Sequence, residues 1–81
     1  MFFVYILYSN KRDRYYIGYT SEIENRVAKH NVGSTTSTKS GIPWVLVYKE
    51  EFESKTDAIK REKEIKRMKS RKYIERLIKM N

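Results

Sequence analysis

Residues 2–8, FFVYILY, restrict the possible folds more than any other part of this chain. Apolar and aromatic side chains fill both alternating sets of positions, so a strand built from them has no face for water. A sheet that contains it must be covered on both sides. The chain has 81 residues and is read as one domain over 1–81. A chain this short buries only about 60% of its unfolded surface, so the cover must be compact. With no cysteine, neither a disulfide framework nor a thiolate metal site can supplement that core. Packing has to hold it, and seven Tyr, three Phe and one Trp suit the task.

Polar residues 9–14, SNKRDR, predict a hairpin turn into a second strand at 15–20, YYIGYT. Ser21 and Glu24 have the spacing of a capping box, which predicts a helix running to about Asn31. Residues 32–43, VGSTTSTKSGIP, are read as a loop rich in Gly, Ser and Thr. A third strand, WVLVY at 44–48, is extended by KEEF. Ser54 with Asp57 is an N-cap signature for a helix through about Met68. Ser70 caps a last helix whose apolar stripe is Tyr73, Ile74, Leu77 and Ile78. The order ββαβαα predicts an α+β fold, a small three-stranded antiparallel sheet flanked by helices.

Net charge narrows the choice of partners. Eighteen Lys and Arg against ten Asp and Glu leave a formal +8, which favours a polyanion. A membrane surface fits less well, because no helix pairs a bulky aromatic face with a basic one. The apolar start is also far shorter than the ~20 residues that span a bilayer, and it lacks a signal-peptide pattern. A cytoplasmic protein with DNA or RNA as partner is the expectation. No required protein partner is evident. Lys66 and Lys69 belong to the most basic stretch, and Thr36, Thr38 and Lys39 to the hydroxyl-rich loop; all five are candidate phosphate contacts.

Three features point to a site. Tyr16, Gly18 and Thr20 share one face of the second strand, and Gly18 leaves a hollow beside Tyr16. At about 100° per residue, Arg26 and His30 fall on the border of the stripe made by Ile23 and Val27. Charged groups rarely sit there unless they are paired or face a cleft. Glu62 lies between Ala58, Ile59 and Ile65 on the inner side of a basic helix and needs a counter-charge. Arg26 in a salt bridge or a hard divalent cation would serve.

These residues resemble the GIY-YIG nuclease superfamily, in particular its short, stand-alone bacterial branch, over essentially the whole chain. VYIL at 4–7 is similar to the first half-motif, with Tyr5 as its tyrosine, although FVY replaces GIY. YIG at 16–18 matches the second half-motif. Tyr16 follows Tyr5 by eleven residues, Arg26 follows Tyr16 by ten, and His30 follows Arg26 by four, as in the family. REKEIK at 61–66 resembles the segment carrying the family's metal-binding glutamate, here Glu62. The last helix has no counterpart of the late asparagine found in many members; Asn81 is terminal.

The resemblance implies metal-dependent hydrolysis of DNA phosphodiesters, in repair or processing. Glu62 would hold Mg²⁺ or Mn²⁺, and Arg26 would neutralise charge on the scissile phosphate. Tyr5 or Tyr16 would orient or deprotonate water, and His30 would assist by hydrogen bonding or proton transfer. A free phenol near pKa 10 is ionised at roughly one part in a thousand at neutral pH, so a tyrosine base needs cations nearby. The runner-up reading is a nucleic-acid-binding module that keeps this fold with little or no catalysis. A third is a basic adaptor for an acidic protein, which explains neither Arg26 nor His30.

Overall fold

The computed structural model describes residues 1–80; Asn81, the last residue of the expected domain, lies outside the described residues. Strands β1 (Phe2–Ser9), β2 (Arg14–Thr20) and β3 (Trp44–Phe52) form one antiparallel sheet in the order β2-β1-β3. The strand with no face for water is therefore the central one. Helix α1 (Ile23–Asn31) precedes β3, and α2 (Lys55–Met68) and α3 (Arg71–Met80) follow it. The expected ββαβαα order and α+β class are what is found.

Alternation along β1 splits the core in two. Val4 and Ile6 point to one face, where Ala58 and Ile65 of α2 and Ile74 and Leu77 of α3 cover them. Tyr5 and Leu7 point to the other, beneath Trp44, Tyr16, Ile42 and the α1 residues Ile23 and Val27. All four of these β1 side chains are fully buried. On the first face the Arg61 guanidinium donates to both carboxylate oxygens of Glu50 and to the Tyr73 hydroxyl, which ties α2 to β3 and α3. Burial alone would raise the Glu50 pKa; the bonds from Arg61 and Tyr48 outweigh it and hold the carboxyl below its ordinary range.

Helix boundaries follow the caps where the caps form. The Ser54 hydroxyl accepts from Asp57 N–H at 3.1 Å and opens α2, and Ser70 accepts from Tyr73 N–H at 3.1 Å at the start of α3. The Ser21–Glu24 capping box does not form. Glu22 precedes α1 without a side-chain cap, and its own N–H donates to Thr20 Oγ1 at 3.0 Å. The turn is thus closed by the last residue of β2, not by the serine after it. The expected loop at 32–43 is also more ordered than its composition suggests, since Thr36–Gly41 is a 3-10 turn packed under α1.

Candidate active site

Pairing of β1 with β2 sets the site. Tyr5 lies directly across from Gly18, and Leu7 across from Tyr16. Tyr5, Tyr16 and Gly18 therefore share the face under α1. The hollow expected beside Tyr16 is occupied: the Tyr5 ring lies over Gly18, and a Cβ built there would stand 2.6 Å from Tyr5 Oη. Glycine is required at this position by close approach and not by an unusual φ.

Helix α1 divides its two polar residues. His30 is 1% exposed, whereas Arg26, one turn earlier, is solvent-exposed. Both were expected at the border of the apolar stripe. The difference arises from what stands across from each. His30 Nε2 lies 3.2 Å from Tyr5 Oη, and its Nδ1 lies 2.8 Å from Thr38 Oγ1. The Thr38 hydroxyl donates onward to the Thr35 carbonyl at 3.3 Å. With its single hydrogen used there, Thr38 accepts from Nδ1–H, so Nε2 is the bare nitrogen and Tyr5 donates to it. Every polar atom of the buried imidazole is satisfied, which is what allows it to be buried.

This bonding bears on two of the expected site residues. Thr38 is 1% exposed, with its hydroxyl engaged by His30; Thr36 and Lys39, in the same turn, are exposed. His30 is sealed from solvent and hydrogen-bonded to Tyr5. It fixes Tyr5, and its ring packs 4.8 Å from the Tyr16 ring at a tilt of 59°.

Electrostatics tie the remaining groups together. Burial first, then the neighbouring Tyr16, pushes the Tyr5 phenol up to about 12; the cationic Arg26 pulls it back and Glu62 adds to the rise. Tyr16, Arg26 and Glu62 thus each act on the Tyr5 phenol, although four elements supply the five site residues. The Tyr5 phenol is 0% exposed, and its surroundings oppose ionisation. Tyr16 is only partly buried, and of the two tyrosines it is the one open to water.

The Glu62 side chain is 14% exposed, on the inner side of α2 as expected. Its cationic neighbour is Lys66, with Nζ 3.2 Å from Oε2, an i,i+4 pair on the same helix. A salt bridge to Arg26, one of the two counter-charges that would serve, is not among those formed by the described residues, and Lys66, half-exposed, is shared between this carboxylate and solvent. Lys69 is exposed at the left-handed C-cap of α2. Among the described residues no three His, Cys, Asp or Glu side chains cluster to cage a metal. Glu62 is a single hard oxygen donor, of the kind that would suit Mg²⁺ or Mn²⁺.

Burial, then the nearby Arg26 charge, holds the His30 pKa below its ordinary 6.5. A folded-state value below the unfolded one means that the unfolded chain takes up the proton first. The stabilisation is whole above the unfolded value and is lost as pH falls through the folded one. Melting temperature is expected to drop as pH falls from roughly 7 towards 5, and His30→Gln to lose that part of the slope. A slope unchanged by the substitution would show that His30 does not titrate in this way.

The chain is similar to known proteins in both sequence and structure. A family model described as the GIY-YIG catalytic domain matches residues 1–74. A UPF0213 protein of Staphylococcus haemolyticus is 48% identical over 65 residues, covering 79% of this chain and 78% of the relative. One from Natronomonas pharaonis is 43% identical over 77 residues, covering 94% and 88%. The solution NMR structure of a UPF0213 protein from Bacillus halodurans superposes with a TM-score of 0.63 at 35% identity, covering 100% of this chain and 86% of that one. No helix among the described residues is long and apolar enough to cross a membrane. With strand pairing, tyrosine placement and family match in accord, the chain belongs to the GIY-YIG catalytic domain family, whose members are of nuclease type.

Proposed function

We propose that this protein is a metal-dependent endonuclease that hydrolyses DNA phosphodiesters, in repair or processing of DNA. The observation that carries the reading is the convergence on the Tyr5 phenol of Tyr16, Arg26, His30 and Glu62. A binding module has no use for Glu62 on the inner side of a basic helix, because a carboxylate repels phosphate.

Tyr5 and His30 form a sealed lower layer that holds the Tyr16 ring in place. Tyr16, at the edge of that layer, orients the attacking water and, when ionised, takes its proton. The resulting hydroxide forms the new bond to phosphorus, and the 3′-oxygen leaves with the electron pair of the bond that breaks. Exposed Arg26 donates to the non-bridging oxygens as their charge grows. Glu62 would hold Mg²⁺ or Mn²⁺, which when bound supplies positive charge at the leaving oxygen. Exposed Thr36, Lys39 and Lys69, with half-exposed Lys66, contribute charge and donors along the flanking strand.

The test is incubation with duplex, nicked and branched DNA in Mg²⁺, in Mn²⁺ and in EDTA, beside Tyr16→Phe. Cleavage that needs metal and is lost in the variant supports the nuclease. Salt-sensitive binding with no cleavage of any substrate would replace it with the binding module.

A further inference from the structure

A second feature opens beside Tyr16, and Arg26 does not line it. A pocket of about 300 Å³ lies between the β1–β2 turn and the 3-10 turn. Tyr16, Gly41 and Trp44 form its floor, and Arg12, Arg14 and Ser40 belong to its rim; no carboxylate lines it. Neither arginine is in a salt bridge among the described residues; Asp13, between them in sequence, pairs instead with Arg71 on α3. The Arg12 Nε–H points at Ser40 Oγ from 3.4 Å, reaching across the mouth.

The floor is rigid. Trp44 Nε1–H donates to the Thr38 carbonyl at 2.7 Å, and a Cβ at Gly41 would stand 2.5 Å from the indole. Ser9 Oγ donates to the Gly41 carbonyl and accepts from Arg12 N–H, which clamps the two turns together. A preformed cavity with an aromatic floor, two guanidinium groups outside any salt bridge and a serine hydroxyl has the chemistry of a site for a phosphate and its attached nucleoside.

We propose that this pocket is a subsite for one nucleotide of the DNA strand next to the cleavage point, its phosphate held by Arg12 and Arg14. This rests on the nuclease reading, since Tyr16 is shared by the two. It adds a second point of grip: the strand passes over Tyr16 into a pocket that Arg26 does not line.

The experiment measures binding, in EDTA, so that cleavage plays no part. Wild type, Arg12→Ala/Arg14→Ala and the charge-matched Lys72→Ala/Lys79→Ala are titrated with a fluorescent duplex at several salt concentrations. The same duplex is also used with one neutral methylphosphonate walked along a strand. Removing the two arginines is expected to weaken binding about tenfold or more near 0.1 M salt and to lower the salt slope by about 0.9. The α3 variant should lose clearly less. One methylphosphonate position should weaken wild type and leave the arginine variant unaffected, which marks the gripped phosphate.

Equal losses in the two double variants would mean that only net charge matters, and would overturn the subsite. So would a methylphosphonate profile identical in wild type and the arginine variant. Either result leaves the nuclease reading standing if wild type cleaves in Mg²⁺. A wild-type protein that binds no DNA at any salt concentration would overturn both.

Discussion

Glu62→Gln is expected to remove about 10²–10³-fold of metal-dependent cleavage while leaving the fold intact. The substitution keeps the shape of a mostly buried side chain on the inner side of α2 and deletes its charge. Glutamine still fills the space among Ala58, Ile59 and Ile65, so the melting temperature should move little. Lys66 loses its i,i+4 partner, worth only about 0.2–0.5 kcal/mol on a helix surface. DNA binding in EDTA should hold steady or strengthen, because a carboxylate near the phosphate path has gone. Cleavage rates over a Mg²⁺ titration, read beside that binding, separate the outcomes. An unchanged rate at every metal concentration would remove Glu62 from the chemistry and leave it as a helix-surface acid that happens to face inward.

Gly18→Ala is expected to damage stability and activity together. The added Cβ would stand 2.6 Å from Tyr5 Oη and 2.8 Å from Tyr5 Cζ, well inside contact distance. The end of an exposed tyrosine would swing away at little cost. Tyr5 cannot, because it is fully buried and its hydroxyl is bound to His30. Either the ring tilts and that bond breaks, or β2 separates from β1. A cost of about 1–3 kcal/mol follows for overpacking, with a cleavage loss of about tenfold or more as Tyr16 loses its support. Denaturant unfolding and the cleavage assay measure the two effects.

Adding Tyr5→Phe tests the cause. The phenyl ring lacks the oxygen closest to the new methyl group, so the double variant should be more stable than the sum of the single changes implies. Additive losses would mean that the clash is not with the hydroxyl but with the ring carbons that phenylalanine keeps, or with another residue.

Both effects depend on features that differ in how far the amino-acid sequence reveals them. The strands were legible because their patterns leave little choice: residues 2–8 have no polar face, so β1 had to be central. Helices α2 and α3 were legible through Ser54 and Ser70, whose hydroxyls close the first turn in the structure as their spacing implies. Ser21 had an equally good pattern, yet α1 starts without a side-chain cap, and the nearby bond is from Glu22 N–H to the Thr20 hydroxyl. A cap signature records which bonds are possible; which of them form depends on the backbone direction entering the helix.

What the sequence determined by itself was angular position: which residues of a strand or helix share a side. That sufficed to place Tyr16 with Gly18, to turn Glu62 inward and to group Arg26 with His30. Angular position carries no information about what lies opposite. Only the tertiary structure decided that Tyr5 fills the space over Gly18, because that depends on the β1–β2 register. Only it decided that His30 is sealed while Arg26 reaches water. One faces the Tyr5 and Thr38 hydroxyls, and a buried polar group must be bonded; a flexible guanidinium is cheaper to leave in solvent. Thr38, read from its loop as a phosphate contact, became the partner of His30 for the same reason: contacts between distant residues are created by the fold, and periodicity within one element cannot encode them.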